Sequence, residues 1–161
     1  TYENGGIFPW VSAYYIAAMA EFDPDKAYDH YLAILNQYER DNLHGAGNGY
    51  FWDTETGLPT EGSKQEPYLA NVAVTVWGFM SLFGLTFDFT KGIAIRPRLP
   101  RRLNGSVFSI RYHGSKVTFH YRGYGVKVTS LRIDGRDLPP DGFIPAERLR
   151  EESIVEVEVS E

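Results

Sequence analysis

The 161-residue chain contains no cysteine. That excludes a disulfide framework, a thiolate metal site and a cysteine nucleophile. Basic runs are missing as well: 16 Lys and Arg stand against 21 Asp and Glu, for a net charge of −5. A nucleic-acid partner is therefore not expected. The most apolar stretch, Pro67 to Leu85, is interrupted by Asn71, Thr75, Gly78 and Ser81. It reads as a buried helix rather than a membrane span, so no membrane partner is expected. Internal repeats and low-complexity tracts are also lacking. The four histidines, His30, His44, His113 and His120, show no H-x-x-x-H spacing, and each reads as an ordinary surface or core residue. No metal and no cofactor is expected. Gly45-Ala46-Gly47-Asn48-Gly49 lacks a lysine and follows a helical pattern, so it is a poor phosphate cradle. There is no Ser/His/Asp elbow.

What is present is a chain rich enough in apolar and aromatic residues, 43% and 15%, to exclude intrinsic disorder. It begins at Thr1, and Tyr2-Glu3-Asn4-Gly5-Gly6 reads like the interior of an organised loop. The expectation is a piece of something larger.

Charge and aromatic content divide the chain near Leu85. Residues 1–85 hold 11 acidic and 3 basic side chains, a balance of −8, and residues 86–161 hold 10 and 13, a balance of +3, which together give −5. Trp10, Trp52 and Trp77 all lie in the first half, with most of the tyrosines. An acidic, aromatic-rich half suits sugar: aromatic faces stack on the C–H faces of pyranose rings, and carboxylates accept hydroxyl hydrogen bonds. The same aromatics equally suit a plain helical core.

The first half reads as helical. Ile7 to Phe22 is apolar nearly all round, which predicts a buried helix. Asp23-Pro24 is a start signal, an N-cap acid followed by proline in the first turn. The helix it opens runs to about Asp41, with one apolar stripe of Ala27, Tyr28, Tyr31, Leu32, Leu35 and Tyr38. Asn42 to Gln65 reads as a long loop, ordered because it carries Tyr50-Phe51-Trp52-Asp53. Pro67 to Phe83 predicts a second buried helix, closed by Gly84. Buried, half-exposed, buried is the order of two concentric helical layers joined as hairpins.

The second half reads as β. Short strands are predicted at Gly92 to Arg96, Val107 to Tyr112, Ser115 to Arg122, Val126 to Ile133 and Ser153 to Ser160. His113-Gly114 and Asp134-Gly135 supply hairpin turns. Five or six antiparallel strands of this kind predict a small β-sandwich.

Carboxylates are the stronger candidates for chemistry. Glu3 and Asn4 stand before one apolar helix, Asp53 and Glu55 lie in the aromatic loop, and Glu66 directly precedes Pro67 at the start of the other. A carboxylate there faces backbone N–H groups and the positive helix end. Two readings stay open: Ser63-x-x-Glu66 fits a capping box, and acids with aromatics converging at one rim fit a glycosidase pocket. That rim would gather Glu3, Asn4, Trp10, Glu66 and Tyr68.

Tyr2-Glu3-Asn4-Gly5-Gly6-Ile7-Phe8-Pro9-Trp10 resembles the N-G-G-x-x-P-W segment of the six-hairpin glycosidases. That clan includes glucoamylases, trehalases, debranching glucosidases and disaccharide phosphorylases. Gln65-Glu66-Pro67-Tyr68, followed by Val74-Thr75-Val76-Trp77-Gly78, resembles the start of their last inner helix. Ile93-x-Ile95-x-Pro97-x-Leu99-Pro100, then Val107-x-Ser109-Ile110-x-Tyr112-x-Gly114, is similar to the C-terminal β-domain of the disaccharide-phosphorylase relatives.

The resemblance implies an α+β chain, with residues 1–85 as the last helices of an (α/α)6 barrel and 86–161 as a C-terminal antiparallel β-sandwich. It implies a glycoside hydrolase acting on oligosaccharides with inversion. Glu66 matches the general base, and Tyr2, Glu3, Asn4, Trp10, Trp52, Asp53, Gln65 and Tyr68 are the expected substrate-binding residues. The general acid would lie outside this chain, on an N-terminal part of the same enzyme or on a partner chain. Phosphorylase members carry a phosphate-binding run where this chain has Lys64-Gln65-Glu66-Pro67, which favours hydrolysis. A non-catalytic carbohydrate-binding module and a phosphorylase are the alternatives.

Overall fold

The computed structural model describes residues 6–7, 9–40, 50–56, 58–59 and 69–161. The backbone divides into two compact units, Thr1–Phe79 and Met80–Glu161.

The first unit contains β1 (Gly6–Ile7), α1 (Pro9–Ala20), α2 (Pro24–Arg40), β2 (Tyr50–Asp53), β3 (Leu58–Pro59) and most of α3 (Leu69–Phe83). The start of α2 follows from its sequence. Asp23 Oδ1 accepts the Lys26 N–H at 3.0 Å, while Pro24, which has no N–H to leave unpaired, fixes the first helical φ. Such a cap is worth about 1 kcal/mol.

α1 departs from the expectation of burial on every face. Ala13, Ile16 and Ala20 are buried, but Trp10, Val11, Tyr14 and Tyr15 remain between 41% and 57% exposed. An evenly apolar helix has no preferred side. The packing of α1 on α2 covers one strip and leaves the rest open. α3 shows the same division, with Val74 buried and Val76 and Trp77 exposed.

One aromatic side chain of α2 reaches α3. The Tyr31 hydroxyl donates to the Thr75 carbonyl at 2.6 Å. Its ring lies where a side chain on Gly78 would stand, since a Cβ built there comes within 2.5 Å of Tyr31 Cδ2.

Three short strands were not foreseen in this half. β1 pairs antiparallel with β2 (Gly6 opposite Phe51, Ile7 opposite Tyr50). β2 pairs with β3 (Trp52 opposite Pro59, Asp53 opposite Leu58). Strands of two to four residues offer too little alternation to read from sequence.

The second unit holds β4 (Leu85–Asp88), β5 (Gly92–Ile95), β6 (Val107–Tyr112), β7 (Ser115–Gly123), β8 (Lys127–Ile133), β9 (Arg136–Leu138), β10 (Phe143–Pro145) and β11 (Glu152–Ser160). One sheet has the order β10-β5-β4 and the other β6-β7-β11-β8-β9. The sandwich expectation is corrected in one respect: β11 runs parallel to β7 and antiparallel to β8, so the larger sheet is mixed. The hairpin turns give no information on where the last strand inserts. β4 and β10 were also missed, being short and, in β10, ended by Pro145.

The core of this unit combines aliphatic side chains with a cluster of aromatic rings. Phe83 meets Phe108 edge-on at 4.7 Å and Tyr121 at 5.1 Å, and Phe108 stacks on Phe119 at 5.3 Å. The Tyr121 hydroxyl donates to the Phe83 carbonyl at 3.0 Å. Phe87 stacks on Tyr112, whose hydroxyl donates to the Asp88 carbonyl. On β11, Val155, Val157 and Val159 are buried, as its alternation predicts.

α3 stops at Gly84, which has φ +69. A Cβ there would lie 1.9 Å from the Arg96 carbonyl oxygen, and the Gly84 carbonyl accepts the Arg96 N–H at 2.8 Å. Both the left-handed turn and the close approach require glycine.

Candidate functional site

Of the expected site residues, Tyr2, Glu3, Asn4, Gln65, Glu66 and Tyr68 lie outside the described residues. Trp10 and Asp53 are described, and Trp52 is described as a backbone position on β2.

The pairing of β1 with β2 brings the backbone just ahead of α1 alongside the strand that carries Trp52 and Asp53. Trp10 sits in the first turn of α1, three residues beyond β1. The start of α1 and the aromatic strand, more than forty residues apart in sequence, are thereby tied into one three-stranded sheet.

Trp10 belongs to a row of exposed rings. It meets Tyr14 edge-to-face at 6.4 Å, and Tyr14 meets Trp77 of α3 in the same manner at 5.2 Å. All three are more than 40% exposed. Such a row has the chemistry to cover the C–H face of a sugar or the apolar face of another protein element. Tyr14 was not singled out from sequence, although its i, i+4 spacing from Trp10 places both rings on one side of a helix. Tyr15 turns instead to His30 of α2, with ring centroids 4.6 Å apart. Burial holds His30 below the ordinary histidine pKa, favouring the neutral ring.

Asp53 is engaged in its own turn. Its Oδ1 accepts the N–H of Glu55 at 2.8 Å and of Thr56 at 3.2 Å. These bonds, Glu55 first, hold the carboxyl below its usual range. Asp53 is therefore ionised at neutral pH, with one oxygen committed to shaping the turn after β2.

In the second unit the aromatic side chains mostly point inward. Among the described residues there, the large exposed aromatics are Phe89 and Tyr124. Arg101 lies over the Tyr124 ring at 4.9 Å and pairs with Glu161 at 3.2 Å. No group of three or more His, Asp or Glu with metal-binding geometry occurs among the described residues. No described helix is long and apolar enough to cross a membrane.

A comparison with curated proteins gives no match. Residues 88–139, from the last residue of β4 to just beyond β9, match the glycosyl hydrolase family 65, C-terminal domain.

Proposed function

We propose that the chain is the C-terminal portion of a glycoside hydrolase that cleaves oligosaccharides with inversion, and that Glu66 is its general base. The observation that carries the reading is the match of residues 88–139 to a C-terminal domain of a glycosyl hydrolase family. It falls in the β unit, downstream of a helical unit whose exposed Trp10, Tyr14 and Trp77 offer stacking surface.

In this reading Glu66 takes a proton from a water that attacks the anomeric carbon, while an acid outside the chain protonates the leaving oxygen. An inverting pair stands roughly 6.5–9.5 Å apart, leaving room for that water. Glu66 directly precedes the Pro67 to Phe83 apolar run in sequence, and a carboxylate ahead of a helix is favoured in its ionised form. Trp10 and Trp52 stack on the sugar, and Asp53, with Tyr2, Glu3, Asn4, Gln65 and Tyr68, accepts or donates hydrogen bonds to its hydroxyls. Lys64-Gln65-Glu66-Pro67 favours water over phosphate as the nucleophile, since it stands where phosphorylase members carry a phosphate-binding run of small and hydroxylated residues.

The test is proton NMR of the first turnovers of the full-length protein on an oligosaccharide, with and without inorganic phosphate. Product of inverted anomeric configuration, formed at the same rate without phosphate, supports the reading. Turnover that requires phosphate identifies a phosphorylase. Glycan binding with no turnover identifies a binding module.

A further inference from the structure

The sequence holds three Asn-Gly pairs, Asn4-Gly5, Asn48-Gly49 and Asn104-Gly105. The third lies among the described residues, between a 3-10 turn at Arg101–Leu103 and β6. Asn-Gly is the dipeptide most open to loss of ammonia, because glycine has no side chain to hinder its own nitrogen. That nitrogen gives up its proton to base and attacks the asparagine Cγ. The new N–Cγ bond expels the side-chain nitrogen as ammonia and leaves a succinimide. Water then opens one of the two ring carbonyls, giving aspartate or isoaspartate.

The fold opposes this reaction at three points. The Asn104 N–H donates to the Arg101 carbonyl at 3.2 Å. Asn104 Oδ1 accepts the Gly123 N–H at 2.8 Å, which fixes the side chain whose Cγ would be attacked. The Gly105 N–H donates to the Tyr121 carbonyl at 3.1 Å, which holds the proton that must leave first. Burial plays no part, since Asn104 and Gly105 are both exposed and water and base reach them freely.

We propose that Asn104 is a deamidation site gated by unfolding: inert while the start of β6 is bonded to β7, and reactive once that edge of the sheet opens. β6 is an edge strand paired with β7 alone, so the bonds that hold Asn104 and Gly105 go when that one pairing is lost on unfolding. Isoaspartate would add a methylene to the backbone between positions 104 and 105. The three bonds could not then re-form together, so each opening carries a chance of an irreversible mark.

The test is incubation of the full chain in mildly alkaline buffer, native and in denaturing urea, with peptide mass spectrometry of conversion at position 104. A free peptide spanning 101–107 in both buffers corrects for any effect of urea on the chemistry. The native chain is expected to convert about tenfold or more slowly than the denatured one. Its rate at intermediate urea should follow the unfolded fraction read by circular dichroism. A corrected difference below tenfold, or a rate indifferent to the unfolded fraction, overturns the proposal.

Discussion

Tyr31 and Gly78 form a lock between two helices: the ring of one occupies the space that the missing side chain of the other leaves, and the Tyr31 hydroxyl is tied to the Thr75 carbonyl at 2.6 Å. The hydrogen bond prevents the ring from sliding away. Gly78→Ala should therefore destabilise the helical unit by about 1–3 kcal/mol through overpacking, although alanine alone favours a helix by about 1 kcal/mol. In a Tyr31→Leu background the same change should cost much less. Equal costs in the two backgrounds, measured by urea denaturation, would show that the ring is not the obstacle.

Alkaline stability should depend on Tyr121. Burial pushes its hydroxyl far above the ordinary value of 10.0, and burial also raises Tyr31, with Tyr28 adding to the shift. A raised phenol pKa gives stability that is fully present below pH 10. It is lost above that pH, where the unfolded chain releases a proton that the fold retains. Above pH 10 Tyr121 should contribute a loss of about 1.4 kcal/mol per pH unit until its buried hydroxyl itself ionises. Tyr121→Phe should cost about 1 kcal/mol at neutral pH through loss of its hydrogen bond to the Phe83 carbonyl, but should flatten the alkaline loss. Urea midpoints at neutral and strongly alkaline pH measure both effects. An unchanged alkaline slope contradicts the assignment.

Trp10 and Trp52 should separate stability from binding in the full-length protein. Trp10 stands on a helix and meets Tyr14, so Trp10→Ala should lower both melting temperature and sugar affinity. Trp52→Ala should weaken binding, with stacking worth on the order of 1 kcal/mol, and barely move the melting temperature. A large fall in melting temperature with intact affinity would place Trp52 in the core.

The exposed row of Trp10, Tyr14 and Trp77 has a solubility consequence. Residues 1–85 expressed alone should aggregate, because contiguous apolar surface of this kind associates. Residues 86–161 should stay more soluble, since their aromatic rings turn inward. A monomeric, cooperatively melting 1–85 would count against the partial-barrel reading.

Elements long enough to show a period were legible. The Asp23-Pro24 start of α2, the Gly84 stop of α3 and the alternation of β6, β7 and β11 stand where the sequence puts them. Of the strands of two to four residues, β5 was read and β9 is implied by the Asp134-Gly135 turn, but β1 to β4 and β10 carry no period and were not. The parallel pairing of β11 with β7 depends on long-range docking that local pattern does not encode. The exposed side of α1 was missed because uniform apolarity says that a helix is sticky, not which side its neighbours cover. At the site, the turn-forming role of Asp53 was not foreseen, although Asp followed by small and polar residues is a turn signal.

The most direct measurement is turnover and melting temperature of Glu66→Gln in the full-length protein. Glutamine keeps the shape and hydrogen bonding but removes the basicity. Loss of a general base costs about 10²–10⁴ in rate, whereas loss of a helix cap costs about 1 kcal/mol of stability. The expected result is collapsed turnover at an unchanged melting temperature. Near-normal turnover with a lowered melting temperature would make Glu66 a cap and contradict the catalytic reading.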